Sequence, residues 1–270
     1  MTGGLLAALA AAMCYGVASV LQAVAARRTP TADSVDPAVL VRTVRQVPFL
    51  AGLALDGLGF LAQYAALRTV PIFVVQAALA GSLAVTAVVA VPVLGGRLGL
   101  RQWSAVGAVC VGLGLLGLSA GAESTRAVPL GFRLALLACV AVLAAAGVAV
   151  NRLPDPVRAV GLGLVAGLAF GVVALAARAS EGASLLRDPA TYAVVGGGVV
   201  AFLYYTIGLQ RAAVTTVTAA LVIGETVLPS VVGVLALGDT PRPGYLPVAV
   251  VGFGLAVAGS LALARFGDPT

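Results

Sequence analysis

Nine apolar segments, each close to 20 residues long, follow one another along the chain. A helix needs about 20 apolar residues to cross the roughly 30 Å hydrocarbon core of a bilayer. The segments that reach or nearly reach this length are 3–26, 48–67, 72–94, 103–120, 130–150, 157–177, 190–210, 213–237 and 245–264. Because they fill most of the 270 residues, the sequence predicts one all-α membrane domain, a polytopic bundle of about nine transmembrane helices.

The composition excludes an ordinary soluble domain. Hydrophobic residues make up 61% of the chain and charged residues only 10%, against about 45–50% and about 25% in soluble domains. A soluble chain of this length needs charged side chains over most of its surface. We therefore expect most of the surface to face lipid.

Only the first connection between spans is long, at about 27–47. Its last part, residues 37–47, is apolar enough to lie at the membrane interface, but it carries Arg42 and Arg45 within a short stretch. We therefore predict nine spans, with ten as the alternative if 37–47 enters the membrane.

Arginine positions predict the orientation. All sixteen basic residues are arginines, a bias typical of GC-rich, bacterial coding, and they are scattered rather than grouped into a patch for nucleic acid. With nine spans, ten arginines share one side: Arg27, Arg28, Arg42, Arg45, Arg97, Arg101, Arg152, Arg158, Arg211 and Arg265. The other six are Arg68, Arg126, Arg133, Arg178, Arg187 and Arg242. The positive-inside rule then predicts a multi-pass cell (plasma) membrane protein with its N-terminus outside and its C-terminus cytoplasmic.

An internal repeat relates two parts of the chain. Leu67–Leu79 resembles Leu209–Leu221, which lies 142 positions later, and the same offset pairs Phe60-Leu61 with Phe202-Leu203. Hairpin lengths and the order of spans agree as well. We therefore predict a first repeat at 3–120 and a second at 157–264.

The repeats are separated by one linking span, residues 130–150. An odd span between two copies makes them enter the membrane from opposite sides. Inverted repeats around a site near the membrane midplane are typical of secondary transporters, because the two halves can exchange conformations and so alternate access to one site.

Glu225 is the first candidate for a functional site. An ionisable residue inside a span costs roughly 2.5–3.5 kcal/mol on insertion scales, so it calls for a specific role. Pro229 follows four residues later, and its missing N–H frees the backbone carbonyl of Glu225. A carboxylate and a loosened backbone at one level of a helix are features of ion and substrate sites in transporters; the alternative is a structural carboxylate.

Asp56, in the second span, is the other intramembrane acid, and Gly57 and Gly59 beside it would let a neighbouring helix approach. Functional and structural readings of Asp56 are evenly balanced. Any metal would be expected at Glu225 and Asp56. The neutral candidates for binding a substrate or ion are Gln76, Ser82, Thr218, Gln22, Tyr64 and Tyr204, with Gln63, Thr86, Tyr15 and Tyr205 as further polar residues inside spans. Each neutral residue has hydrogen bonding between helices as its alternative role.

Enzymatic chemistry has little basis in this sequence. The chain contains no histidine, which excludes Ser-His and His-metal sites, and no two carboxylates share a helix face. Cys14, Cys110 and Cys139 each stand alone in an apolar run, so we expect them to be small buried hydrophobes. We predict that the protein is not an enzyme and has no cofactor.

Four segments resemble a known family. Gly16–Arg28, Pro48–Gly52, Val70–Gln76 and Gly95–Gly107 look like the NIPA-like branch of the drug/metabolite transporter (EamA-like) superfamily. The likeness covers most of the chain as an order of helices with a few polar landmarks. It implies transport, and the NIPA-like branch suggests magnesium. The branch is usually drawn with nine spans, which agrees with the count made here.

The chain also departs from the superfamily pattern. Members commonly have a proline late in the fourth helix, followed by a Glu-Arg pair before the last helix of each half. Here the corresponding residues are Gly96-Arg97 in the first half and Asp239-Thr240 in the second.

Taken together, the sequence predicts a secondary transporter that moves a small solute or a divalent cation, with Mg²⁺ as the specific version and an amphipathic organic solute held by the tyrosines as another. The alternative is a non-transporting accessory or subunit protein of the membrane. The expected partners are the lipid bilayer and the small-molecule or ion substrate, with no nucleic acid, and either a monomer or a homodimer.

Overall fold

The computed structural model describes residues 2–27, 46–94, 98–121, 128–155, 157–180, 187–209 and 214–266. Within these ranges the chain is almost entirely helical. The helices are α1 (Thr2–Arg27), α2 (Val47–Leu67), α3 (Ile72–Ala80), α4 (Ser82–Leu94), α5 (Leu100–Ser119), α6 (Leu130–Val150), α7 (Val157–Ala179), α8 (Pro189–Leu209), α9 (Val214–Ala236) and α10 (Leu246–Phe266).

The fold confirms the predicted all-α polytopic bundle. Among the described residues, nine helical segments are long and apolar enough to span a membrane, with α3 and α4 together forming the third. The observed ends lie within three residues of the predicted ones. Of the segment 37–47, only the last two residues belong to the described ranges, so the ten-span alternative stays untested.

The third span contains a turn that the sequence analysis did not predict. Gly81 separates α3 from α4 and remains in the right-handed helical region. Its N–H donates to the carbonyl of Ala77 at 3.1 Å, and the N–H of Val85 donates back to the Gly81 carbonyl at 3.4 Å. Both bonds have the i to i−4 spacing of an α-helix, so the third span is nearly continuous through Gly81.

The bundle is held by close helix packing at small residues. α1 packs on α2, α5 on α10, and both α8 and α9 on α7, which is the most enclosed span. A Cβ at Gly112 of α5 would lie 2.6 Å from the carbonyl oxygen of Gly252 in α10, and one at Gly167 of α7 would overlap the backbone of Leu221 in α9. Such backbone approach is typical of interfaces between transmembrane helices.

The positions of the cysteines differ from the expectation. Cys110 and Cys139 lie on exposed helix surfaces, and Cys14 is half-buried, so the prediction of buried cysteines was wrong. Apolar lipid surrounds a transmembrane bundle, which allows a small apolar side chain to point outwards as readily as inwards.

The division into repeats at 3–120 and 157–264, joined by 130–150, stays a prediction, as do the orientation and the cell membrane location.

A buried ionic network ties together the end of the bundle where α2 turns into α3. Arg178, near the end of α7, donates from Nη2 to Asp239 Oδ1 at 2.9 Å. Its Nη1 donates to the backbone carbonyls of Leu67 and Val70. We call these three contacts, together with the Ile72 bond described next, the Arg178 network.

Asp239 also caps α3 from a distant part of the chain. The backbone N–H of Ile72 donates to Asp239 Oδ2 at 2.7 Å, which satisfies one of the donors left free at a helix start. The Asp239 side chain is fully buried. Burial raises the pKa of Asp239 above the usual aspartate value, while the Ile72 N–H and the Arg178 guanidinium oppose that rise by favouring the carboxylate. Both oxygens of this acid therefore have protein partners.

Candidate functional site

A cavity of about 970 Å³ lies in the middle of the bundle, and six spans contribute to its walls. Most lining side chains are apolar. The polar ones are Tyr15 and Ser19 of α1, Asp56 and Gln63 of α2, Ser82 of α4, Tyr205 of α8, and Thr218, Glu225 and Thr226 of α9. The cavity thus gathers polar groups from both predicted halves of the chain.

Glu225 is the central residue of α9 and lines the cavity. Among the described residues, no hydrogen-bond donor and no cation contacts its carboxylate. Tyr15 and Tyr205 line the same cavity. In its ionised form this carboxylate would lack the compensation that intramembrane charges usually have, which makes Glu225 the candidate cation-binding group of the cavity.

The backbone beside Glu225 has the break that Pro229 predicts. Pro229 lies inside α9 and cannot donate to the carbonyl of Glu225. Gln76 of α3 does so instead, through its Nε2. This bond joins the third span to the eighth at the level of the carboxylate, so Gln76 acts on the backbone of the site rather than on its cavity.

Gln76 is 1% exposed and is not part of the cavity wall. Its Oε1 has no hydrogen-bond partner among the described residues. A buried amide whose NH2 group is hydrogen-bonded but whose carbonyl oxygen is not stabilises the fold less, because the unpaired oxygen costs free energy. The Gln76 side chain is therefore fixed by its donor end alone.

Asp56 differs from Glu225 because it has a partner. Gln22 of α1 donates from Nε2 to Asp56 Oδ2 at 2.6 Å. Gly52 allows this approach, because a Cβ there would lie 2.9 Å from Gln22 Cγ. Asp56 is half-buried and lines the cavity, so it combines an interhelical bond with access to the interior.

Two tyrosines line the cavity together with the acids. Tyr15 donates from its hydroxyl to Gln63 Oε1 at 2.9 Å. The Tyr205 hydroxyl is 3.0 Å from Thr218 Oγ1. The ring faces give the cavity apolar surface, and the hydroxyls fix the ring positions.

The predicted site residues fall into three groups. Glu225, Asp56, Ser82 and Thr218 line one cavity. Gln22 and Gln76 stand behind it and bond to Asp56 and to the Glu225 carbonyl, respectively. Tyr64 and Tyr204 do not line it.

Tyr64 and Tyr204 have contacts outside the cavity. The Tyr64 hydroxyl is 3.1 Å from Ser180 Oγ and accepts from Arg68 Nη2 at 2.7 Å. The Tyr204 hydroxyl donates to the carbonyl of Ala144 in α6 at 2.5 Å, and its ring fills the space that Gly147 leaves. Tyr204 thus joins α8 to α6.

Several lining residues were not among the main sequence candidates. Tyr15, Gln63 and Tyr205 were weighed only as further polar residues, and the aromatic lining residues Phe60, Phe170 and Phe202 were not weighed. A signal for part of this set exists in α2, where the lining residues are Leu53, Asp56, Phe60 and Gln63. Their spacing of three and four residues defines one helix face.

The arrangement is a sparse site for a metal ion. No group of three or more His, Cys, Asp or Glu residues that could hold a metal occurs among the described residues. Glu225 and Asp56, the two acids predicted as ligands, do share one cavity. Mg²⁺ prefers six oxygen ligands and keeps several waters, so most of its shell would have to be water or amide and hydroxyl oxygens.

Comparison of the chain with protein-family models, with curated proteins and with solved structures found no match. The class rests on the fold and composition alone: this is a multi-pass helical membrane protein with a mostly apolar cavity that two acidic residues line.

Proposed function

We propose that the protein is a secondary transporter and that its cavity binds a small organic cation. The observation that supports this most strongly is the Glu225 carboxylate, which lines an otherwise mostly apolar cavity without a partner in the described chain. A charge in the membrane interior is costly unless it is paired. A cationic ligand would supply the missing partner, and the apolar and aromatic walls would hold its organic part.

The position of the cavity fits alternating access. Glu225 is central in α9 and Asp56 is next to the centre of α2, so both acids lie near the membrane midplane. The walls come from helices of both predicted repeats, and a movement of one half against the other would change access to the site. The resemblance to the drug/metabolite transporter superfamily points in the same direction; membership in that superfamily, like the repeat, is part of the proposal.

A divalent cation, with Mg²⁺ as the specific case, is the second candidate substrate. Two carboxylates in one cavity favour it, together with the amide of Gln63. The mostly apolar wall and the small number of acidic ligands favour an organic cation instead. A non-transporting accessory protein has less support, because its interior would be expected to be filled with aliphatic side chains.

Uptake into liposomes tests the proposal. The purified protein is reconstituted, and entry of Mg²⁺ and of a panel of short alkylamines is measured under an imposed pH gradient. We expect saturable uptake of at least one amine, reduced at least about tenfold in Glu225→Gln, which corresponds to about 1.4 kcal/mol.

Two glycines provide a matched control. Gly198 lines the cavity and Gly254 lies on the exposed face of α10, and a Cβ at either position meets no atom within 4 Å. Gly198→Trp should therefore fill the cavity and stop uptake, whereas Gly254→Trp should leave uptake unchanged. Absence of any flux with folded protein would contradict a transport function, and Mg²⁺ uptake without amine uptake would replace the organic cation by the metal ion.

A further inference from the structure

The cavity opens sideways between α2 and α8. Leu53 of α2 and four residues of α8 line the cavity and are also more than half exposed, at 51–69%. The α8 residues are Val195, Val199, Phe202 and Leu203. Side chains that belong to both the cavity wall and the outer surface mark an opening, which we call the α2–α8 portal.

The portal lies at the level of the hydrocarbon core. Val199 is the central residue of α8, and ten residues of helix on either side span about 15 Å, half of a hydrocarbon core of roughly 30 Å. Water does not reach this depth outside the protein. Whatever passes through the portal therefore comes from the acyl chains of the bilayer.

The helices that line the cavity differ in polarity. Every residue of the portal is apolar, and most of the α8 wall is apolar as well. Glu225 lines the cavity from α9, whose other lining residues include the polar Thr218 and Thr226. One ligand that suits both walls has a cationic group for Glu225 and an alkyl chain that extends through the portal.

We propose that the cavity takes amphiphiles with an amine or quaternary ammonium headgroup laterally from the bilayer, and that their chains remain in lipid between α2 and α8 while the headgroup is bound. This proposal rests on the proposed function for the cationic headgroup. It adds the alkyl chain of the ligand, its route of entry and the two helices that flank the alkyl chain.

The alkyl chain of the ligand contacts lipid both in the free and in the bound state. The dependence of apparent affinity on chain length therefore tests the proposal. Transfer of each methylene from water to an apolar phase strengthens apparent binding about fourfold when concentration is counted in water. This increase should continue from butylamine to dodecylamine without a cut-off, and it should disappear when concentration is counted per lipid. A closed pocket would instead reject chains beyond a certain length.

The deciding experiment is photolabelling in liposomes with a dodecylamine that carries a diazirine at the end of its chain, followed by mapping of the labelled residues by mass spectrometry. We expect label at Val195, Val199 and Phe202, reduced at least about fivefold by excess butylamine, which competes only for the headgroup site. Val142, a 66% exposed residue of α6 that does not line the cavity, provides the background of ordinary lipid contact, and butylamine should not change its labelling.

The Glu225→Gln variant is labelled in parallel and should lose the excess at the portal but keep the signal at Val142. If the portal is labelled no more than Val142, and butylamine has no effect, the lateral route is wrong. The competition uses the unaltered protein, so a folding defect in the variant cannot hide this result.

Uptake measurements separate the two proposals. Butylamine uptake without competitive labelling at the portal would overturn lateral entry and leave transport standing. Competitive labelling without uptake of any amine would support the portal as a binding site and contradict transport.

Discussion

Asp239 and Glu225 are both acids enclosed by the bundle, but their surroundings differ. Asp239 accepts from Arg178 on one oxygen and from the N–H of Ile72 on the other. Glu225 has no such donor among the described residues, and only its backbone carbonyl is bonded, to Gln76. Asp239 is thus paired within the protein, whereas the Glu225 carboxylate has no partner in the described part of the chain and is the group that we propose binds a ligand.

This difference separates stability from function. A buried charge with a full set of partners holds segments in place, and removal of one partner leaves the others uncompensated. A buried charge without partners costs free energy in the unliganded protein, and that cost is recovered when a cation binds. We therefore expect substitutions in the Arg178 network to destabilise the protein and substitutions at Glu225 to abolish binding.

The largest effect on stability is expected for Asp239→Ala. It leaves the Arg178 guanidinium buried without its counter-ion and the start of α3 without its cap, so the free energy of unfolding should fall by about 3–5 kcal/mol. Reversible unfolding in mixed micelles measures it.

The matched control for Asp239→Ala is Asp155→Ala. Asp155 forms a bidentate pair with Arg158 at 3.0 and 2.9 Å, but it lies at an exposed turn, where such pairs contribute about 0–1 kcal/mol. Equal effects of the two substitutions would refute the claim that the Arg178 network holds this end of the bundle.

Gly167 and Gly198 provide a second comparison, which concerns helix packing instead of charge. Gly167→Ala places a methyl group against the backbone of Leu221, whereas Gly198→Ala places one in open space at the cavity wall. We expect Gly167→Ala to lower the free energy of unfolding by about 1–3 kcal/mol and Gly198→Ala to leave it nearly unchanged. The same unfolding assay compares them, and a larger loss at Gly198 would mean that the cavity is filled in the folded protein.

An effect of similar size is expected at Gln76. Gln76→Leu removes the donor to the Glu225 carbonyl, which should cost about 1–3 kcal/mol. In Pro229→Ala the helix regains an N–H for that carbonyl, so Gln76→Leu should cost much less in the Pro229→Ala background. A double-mutant cycle measures this coupling. Additive effects would show that the Gln76 bond does not compensate for the proline.

Glu225→Gln should have the smallest effect on unfolding, neutral or stabilising, because it removes a charge that lacks a protein partner. Amine uptake should nevertheless be lost. A destabilised variant with normal uptake would reverse the roles assigned to the two acids.

The bundle was largely predictable because lipid imposes a simple rule on sequence. Each span must supply about 20 apolar residues, and the loops between them are short, so the observed helices begin and end close to the predicted residues. The turn at Gly81 was not predicted, because a single glycine in a span has no fixed consequence.

The residues that line the cavity were predictable where one residue carries its own signal. An acid in the centre of a span with a proline four residues later indicated Glu225 from local sequence, and Asp56 was identified as an intramembrane acid. Which tyrosines face the cavity depends on helix rotation: Tyr204 and Tyr205 are neighbours, yet only Tyr205 lines it.

The Arg178 network could not be predicted because its members are far apart in sequence. Arg178 and Asp239 are separated by 61 residues, and Ile72 and Asp239 by 167. Arg178 was used only as a marker of membrane orientation, and its burial depends on how the spans pack.

The most direct test of the account is calorimetric titration of the purified protein with butylamine, comparing the intact protein with Glu225→Gln and Asp56→Asn. We predict saturable binding that disappears in Glu225→Gln and survives, weakened, in Asp56→Asn, because Asp56 already has Gln22 as a partner. Equal binding by the intact protein and Glu225→Gln would contradict the claim that the Glu225 carboxylate is the open site.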